Sequence, residues 1–348
     1  MKSSVPAESG DGPASERFRA LSTEGKERVP YLIKRLIQIP LLVILVVTLG
    51  FILLKVSPGD PVSMFAGEGS TPEYLEMIRK AYGLDKPIST QYYLYMRGIL
   101  KGDWGHSLSF DLPVLQVIME RIPYTLLLAF AAFLIAVPLG ILLGVIAAVK
   151  RGSSVDSFVS GFSTFFNSVP AFIFGLILLY VFAVYLRVLP LGGFQTVGAS
   201  FPNPAARLLD VLKHLVLPSI SLALIWMVGY ARVMRNTMVE ALLSDYVRAA
   251  VSRGISRGRV VFRHAFRNSI LSVVTLAGIH VGYMIGGVIL TETVFSWFGI
   301  GNLVVQAVSF RDYPLLMGIL FFSSIWVALV NLLADAIYVT IDPRVRLG

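Results

Sequence analysis

Tyr246, Ala249, Ala250 and Arg253 stand at spacings of three, four and seven in a short polar stretch, so a helix there would set them on one face. Small side chains flanked by an aromatic ring and a base make a docking surface, on which a partner groove can close. Ser244 can cap such a helix, Asp245 sits favourably at its positive end, and Gly254 can adopt the left-handed conformation that terminates it near Arg253. A loop serving only as a basic anchor would need no capped helix and no particular residue order.

Bond-making chemistry has no comparable signature. There is no G-x-x-x-x-G-K-[ST] phosphate loop, so the chain does not hold a nucleotide in that manner. No H-E-x-x-H helix, G-x-S-x-G elbow or pair of intramembrane carboxylates occurs, and no catalytic residues are expected. His106, His214, His264 and His280 are scattered, and cysteine is absent, so neither a metal site nor any other bound cofactor is expected in this chain. An isolated histidine on a membrane helix reads as a hydrogen-bonded structural residue.

The elements that must position the polar stretch are apolar. Of 348 residues, 55% are hydrophobic and only 15% charged, the balance of an integral membrane protein. Six stretches can cross about 30 Å of hydrocarbon, near 32–54, 122–149, 158–186, 214–231, 269–291 and 315–339. The first is too long for a signal-peptide core and has no small-residue cleavage site after it, so it reads as a retained span.

The net charge of +9 follows from topology and not from a nucleic-acid partner. The N-terminal tail, the 150–156 turn, the 232–268 loop and the C-terminus hold roughly 19 of the 30 Lys and Arg residues, which puts both termini in the cytoplasm. Residues 1–29, rich in Ser, Glu, Gly, Pro and Ala, read as a disordered cytoplasmic tail, and 30–348 as the transmembrane domain. The long segment 57–121 then lies outside. Thr71 and Pro72 begin a helix over 73–82 there, and Ser89 or Thr90 can begin another through Leu100.

Within the spans, small residues at Gly140, Gly144 and Ala148, and at Gly278, Gly282 and Gly286, allow close approach of helix backbones. Pro170, preceded by Asn167 and Ser168, predicts a kink or break in the third span, with those side chains serving the freed carbonyls and a cavity as the alternative to simple packing. Glu292 reads as an interfacial anchor at the outer end of the fifth span, and Asp335 as a buried pairing group late in the sixth.

The run from Asp245 to Ser256, followed by His264-Ala265-Phe266-Arg267-Asn268-Ser269, resembles the EAA loop of the dipeptide, oligopeptide, glutathione and nickel branch of ABC importer permeases. The resemblance extends from about Tyr31 to the C-terminus. It includes Leu54-Lys55-Val56-Ser57-Pro58-Gly59-Asp60-Pro61, Gly102-Asp103-Trp104-Gly105-His106-Ser107 and Asp342-Pro343-Arg344-Val345-Arg346. Two positions depart from the pattern. Arg248-Ala249-Ala250 replaces the general Glu-Ala-Ala, as is usual in this branch, and Phe298 in Trp297-Phe298-Gly299-Ile300-Gly301 stands where the branch usually has proline.

The resemblance implies an all-α fold of six transmembrane helices of the type I importer permease kind, with a helical extracellular segment between helices 1 and 2. It implies a plasma (inner) membrane protein of a bacterium or archaeon, paired with a homologous second permease. A substrate-binding protein would deliver cargo, and two ATPase subunits would bind ATP and Mg. On matching positions, Asp245, Tyr246, Arg248, Ala249, Ala250, Arg253 and Gly254 would couple to an ATPase, with His264, Arg267 and Asn268 behind them; Asn167, Ser168, Pro170, Glu292, Asn302 and Asp335 would line the pathway or its gate. Peptides are the expected cargo, with nickel chelates, opines and oligosaccharides open. A secondary transporter would require charged relays and repeated halves, and a channel a polar ring; none of these is evident.

Overall fold

The computed structural model describes residues 37–57, 71–81, 83–284 and 288–341, with side chains described as far as 333 apart from Tyr283. The expected tail at 1–29, Gly286 and the C-terminal 342–346 motif lie outside these residues, as do Tyr82 and the 58–61 part of the motif after the first span.

The regular secondary structure among the described residues is helical, apart from one isolated bridge between His106 and Pro113. Helix α1 (Ile37–Val56) leads to two short helices, α2 (Pro72–Ala81) and α3 (Ile88–Leu100). Thr71 caps α2 by accepting from the Tyr74 amide at 3.3 Å. Then come α4 (Val114–Val149), α5 (Ser154–Ser168), α6 (Ala171–Leu179) with its π-turn continuation Tyr180–Tyr185, and α7 (Pro204–Leu243). The chain ends with α8 (Asp245–Ser252), α9 (Phe266–Tyr283), α10 (Ile289–Val294), α11 (Ile300–Ser309) and α12 (Tyr313–Ile341).

Among the described residues four helices, α1, α4, α7 and α12, are each long and apolar enough to cross a membrane, and α5 with α6 and its continuation, bent by 95° at the break, counts as a fifth if the pair is one span. The bend falls at Val169-Pro170, where Pro170 opens α6 and Ser168 Oγ donates to the Thr164 carbonyl at 2.8 Å. Among the described residues the expected fifth span, 269–291, does not appear as one such helix: α9 occupies 18 residues, 285–287 lie outside the described residues, and α10 begins at Ile289.

Two spans are longer than hydropathy alone implies. Helix α4 begins at Val114 because Gln116, Glu120 and Arg121 continue the helical turn without being apolar. Helix α7 has 40 residues, about 60 Å, started by Asn203, whose side chain accepts from the Ala206 amide, and by Pro204 at the first turn.

Helices α4 and α7 form the centre of the bundle. Ala129, Ala132, Ala136, Gly140, Gly144 and Ala148 recur at spacings of three and four along α4, and all are buried. A Cβ on Gly140 would lie 2.6 Å from Tyr230 Cβ and 2.8 Å from the Met227 carbonyl oxygen. At Gly144 it would lie 2.6 Å from Met234 Cβ and 2.7 Å from the Ala231 oxygen, so both glycines are required by backbone approach. Gly282 faces Val330 and Asn331 of α12 more loosely, a Cβ there lying 3.3 Å from Asn331 Oδ1.

Candidate functional site

Helix α8 follows α7 after a single residue and lies near Val149, at the end of α4 remote from Val114. Val247 and Ala250 are buried, 4% and 6% exposed, and pack with Val260 and Ile255. Tyr246, Arg248, Ala249 and Arg253 are exposed. The common face expected for Tyr246, Ala249, Ala250 and Arg253 is therefore divided: Ala250 belongs to the seat, because it lies three residues after Val247 and shares its apolar side.

The ends of α8 also differ in part from expectation. Gly254 takes φ +75° and closes the helix as its residue type requires. Ser244, expected to cap α8, turns its hydroxyl back to donate to the Ala241 carbonyl at the end of α7, so α8 has no side-chain cap. Asp245 stands in the first turn, 3.5 Å from Arg248, which also donates to the Leu243 carbonyl at 3.1 Å. Asn268 Nδ2 donates to Tyr246 Oη at 3.0 Å, which ties the start of α9 to the exposed side of α8. His264 is half-buried and Arg267 exposed, and no hydrogen bond or ion pair joins either to α8 among the described residues.

A bidentate ion pair braces the same end of the bundle. Arg235 Nε and Nη2 donate to the two carboxylate oxygens of Asp156 at 2.6 and 2.9 Å, and the Gly152 amide donates to Asp156 Oδ2 at 3.0 Å. The turn before α5 is thereby fixed to α7.

At the opposite end Glu292 is 0% exposed, and its role as an interfacial anchor is overturned by that burial. Thr125 Oγ1 donates to Glu292 Oε1 at 2.7 Å and the Asn302 amide donates to Oε2 at 3.1 Å. Thr125 in turn accepts from the Ile300 amide at 2.8 Å, so one carboxylate and one hydroxyl hold α4, α10 and the start of α11 together. Asn302 Nδ2 donates to the Trp297 carbonyl at 3.0 Å, and Trp297 Nε1 to the Tyr124 carbonyl at 2.9 Å. A side chain on Gly299 or Gly301 would run into Glu292.

Nearby, the departure at Phe298 has a physical account. The Arg121 guanidinium lies 3.4 Å from the centroid of the Phe298 ring, and Tyr124 and Phe194 pack against that ring at 5.2 and 5.3 Å. Proline has no π face to hold the cation.

Other expected residues stand apart. Asn167, Ser168 and Pro170 lie exposed at the α5–α6 bend, and the Asp335 side chain is outside the described ones. His280 Nδ1 and Tyr230 Oη are 2.8 Å apart across α9 and α7, the arrangement of a structural histidine.

Asp312, missed in the sequence, is 0% exposed and accepts from Ser107 Oγ and from the Ser109 and Leu315 amides. Asp-Tyr-Pro before an apolar run is a helix-start signal that could have found it. Thr125, Arg121 and the Asp156–Arg235 pair left no such local mark.

The arrangement offers a docking helix at one end of a membrane bundle and a tightly bonded carboxylate at the other. Residues 140–347 match the family described as binding-protein-dependent transport system inner membrane component, and residues 28–129 match its N-terminal counterpart. The chain belongs to this family of transport-system permeases. It is 37% identical over 316 residues to a probable peptide ABC transporter permease of Sinorhizobium fredii, covering 91% of this chain and 99% of that one. It is 36% identical over 315 residues to the dipeptide transport system permease protein DppB of Escherichia coli, covering 86% and 93%. A putative peptide permease of Brucella suis is 40% identical over 303 residues, covering 85% and 92%. The family is non-catalytic, and its likeness runs through both ends of the bundle.

Proposed function

We propose that this permease is one of two homologous membrane subunits of an ATP-driven peptide importer in the plasma (inner) membrane, with both termini cytoplasmic. A substrate-binding protein delivers the peptide from outside, and two ATPase subunits, which hold ATP and Mg, act from the cytoplasm. The peptide cargo is supported by the names of relatives that match over nearly their whole length. Six crossings are proposed, with the sixth supplied by α9 and the chain after it, and α2 and α3 belong to an extracellular segment.

The observation that carries this reading is the build of α8. Its inner side is seated on Val260 and Ile255, and its outer side presents Tyr246, Arg248, Ala249 and Arg253. A helix held in this way transmits force to α7 and α9 without bending, which is what coupling to an ATPase cleft requires. ATP-dependent closure of the ATPases moves α8, and the bundle opens outward to accept cargo.

The test is reconstitution. The chain, its second permease and the ATPases in proteoliposomes should accumulate a labelled dipeptide when binding protein and ATP are supplied. Failure of the ATPases to co-purify, or accumulation without ATP, would overturn the proposal.

A further inference from the structure

We propose that Arg121 binds the terminal carboxylate of the peptide cargo at the outer mouth of the pathway, an inference that rests on the peptide-importer reading above. Arg121 is only 6% exposed, yet among the described residues no hydrogen bond or ion pair engages its guanidinium. Its partners are the faces of Phe298 at 3.4 Å and, more distantly, Phe110 at 5.6 Å. Ring faces offset part of the cost of burying the charge but accept no N–H bond in its plane.

Glu292, the buried acid nearby, attracts Arg121 through space but gives its hydrogen bonds to Thr125 and Asn302. Glu120, beside Arg121 in sequence, is exposed and accepts from Gln116 Nε2 at 3.0 Å. The guanidinium is thus centred over an aromatic face with no hydrogen bond to its donors among the described residues. That is the geometry that grips a planar carboxylate through two parallel bonds. Tyr124 and Phe194, which frame Phe298, add apolar walls suited to the side chain behind such a carboxylate.

The experiment compares a labelled dipeptide with its C-terminal amide in the reconstituted complex, using wild type, Arg121→Gln and Arg121→Lys. The same binding protein serves every arm, so its own preference cancels when variant and wild type are compared substrate by substrate. Arg121→Gln should lower uptake of the free-acid peptide by about tenfold relative to wild type while leaving the amide within about twofold. Arg121→Lys, which keeps the charge but not the fork, should fall between them.

Equal losses for acid and amide would overturn the proposal and mark Arg121 as structural or as a lipid-phosphate ligand, with the permease reading intact. If Arg121→Gln does not assemble, an Arg121→Lys complex that discriminates as wild type does would overturn it as well. Wild-type complex that moves neither peptide would sink the peptide reading, and this proposal with it.

Discussion

Ser107 donates its hydroxyl to the carboxylate of Asp312, a residue 205 positions away in the chain, and both are fully buried. The same carboxylate accepts from the Ser109 amide and caps α12 through the Leu315 amide, so the chain just before α4 is fastened to the start of the last span. Asp312→Ala leaves a buried hydroxyl and two amides without an acceptor and should cost about 2–4 kcal/mol. Thermal unfolding in detergent should register a lower midpoint, and Asp312→Asn, which keeps one acceptor oxygen, a smaller drop.

Gly144→Val places a branched side chain where a Cβ already lies 2.6 Å from Met234 Cβ. Helices α4 and α7 would have to separate, at a cost of about 1–3 kcal/mol or more. Yield of folded protein should fall, and Met234→Ala should not restore it, because the Met234 Cβ and the Ala231 carbonyl oxygen that block the new side chain both remain. Unchanged stability in Gly144→Val would refute the close seam.

Arg248→Glu reverses a charge on a side chain 73% exposed, so the fold should tolerate it. ATP-dependent uptake should nevertheless fall by about tenfold or more if α8 meets an ATPase, because every 1.4 kcal/mol of lost contact is a factor of ten. Binding-protein affinity for peptide, measured calorimetrically, should not change. Normal uptake at normal expression would remove α8 from the coupling surface.

Asp156→Ala leaves Arg235 a partly buried cation without its bidentate partner. The expected loss is about 1–3 kcal/mol, read as a lowered unfolding midpoint. The double change Asp156→Ala with Arg235→Leu should recover some of it, since the orphaned charge is removed.

Spans α1, α4, α7 and α12 were legible in the sequence because about 20 apolar residues in a row have few soluble uses. Their ends were not: helix continues through Gln116 and Glu120, and past Arg235 to Leu243, where polar and charged residues interrupt the apolar run and hydropathy has no say. The break at Pro170 was readable from the missing amide donor, and the terminator at Gly254 from its left-handed backbone. Ser244 was misread because its hydroxyl had two possible partners, an amide of α8 to accept from and the Ala241 carbonyl to donate to, and the end of α7 took it. Glu292 was misread for a deeper reason: nothing near it in sequence announces Thr125, which lies 167 residues earlier and makes burial of the carboxylate tolerable.

The glycine contacts between α4 and α7 give this permease an internal ruler. Two helices whose backbones touch at Gly140 and Gly144 have no room to slide, so they travel as one plate. Paired spectroscopic labels on solvent-facing positions of α4 and α7 near that seam should report one constant distance with and without ATP. Every other span can then be measured against it.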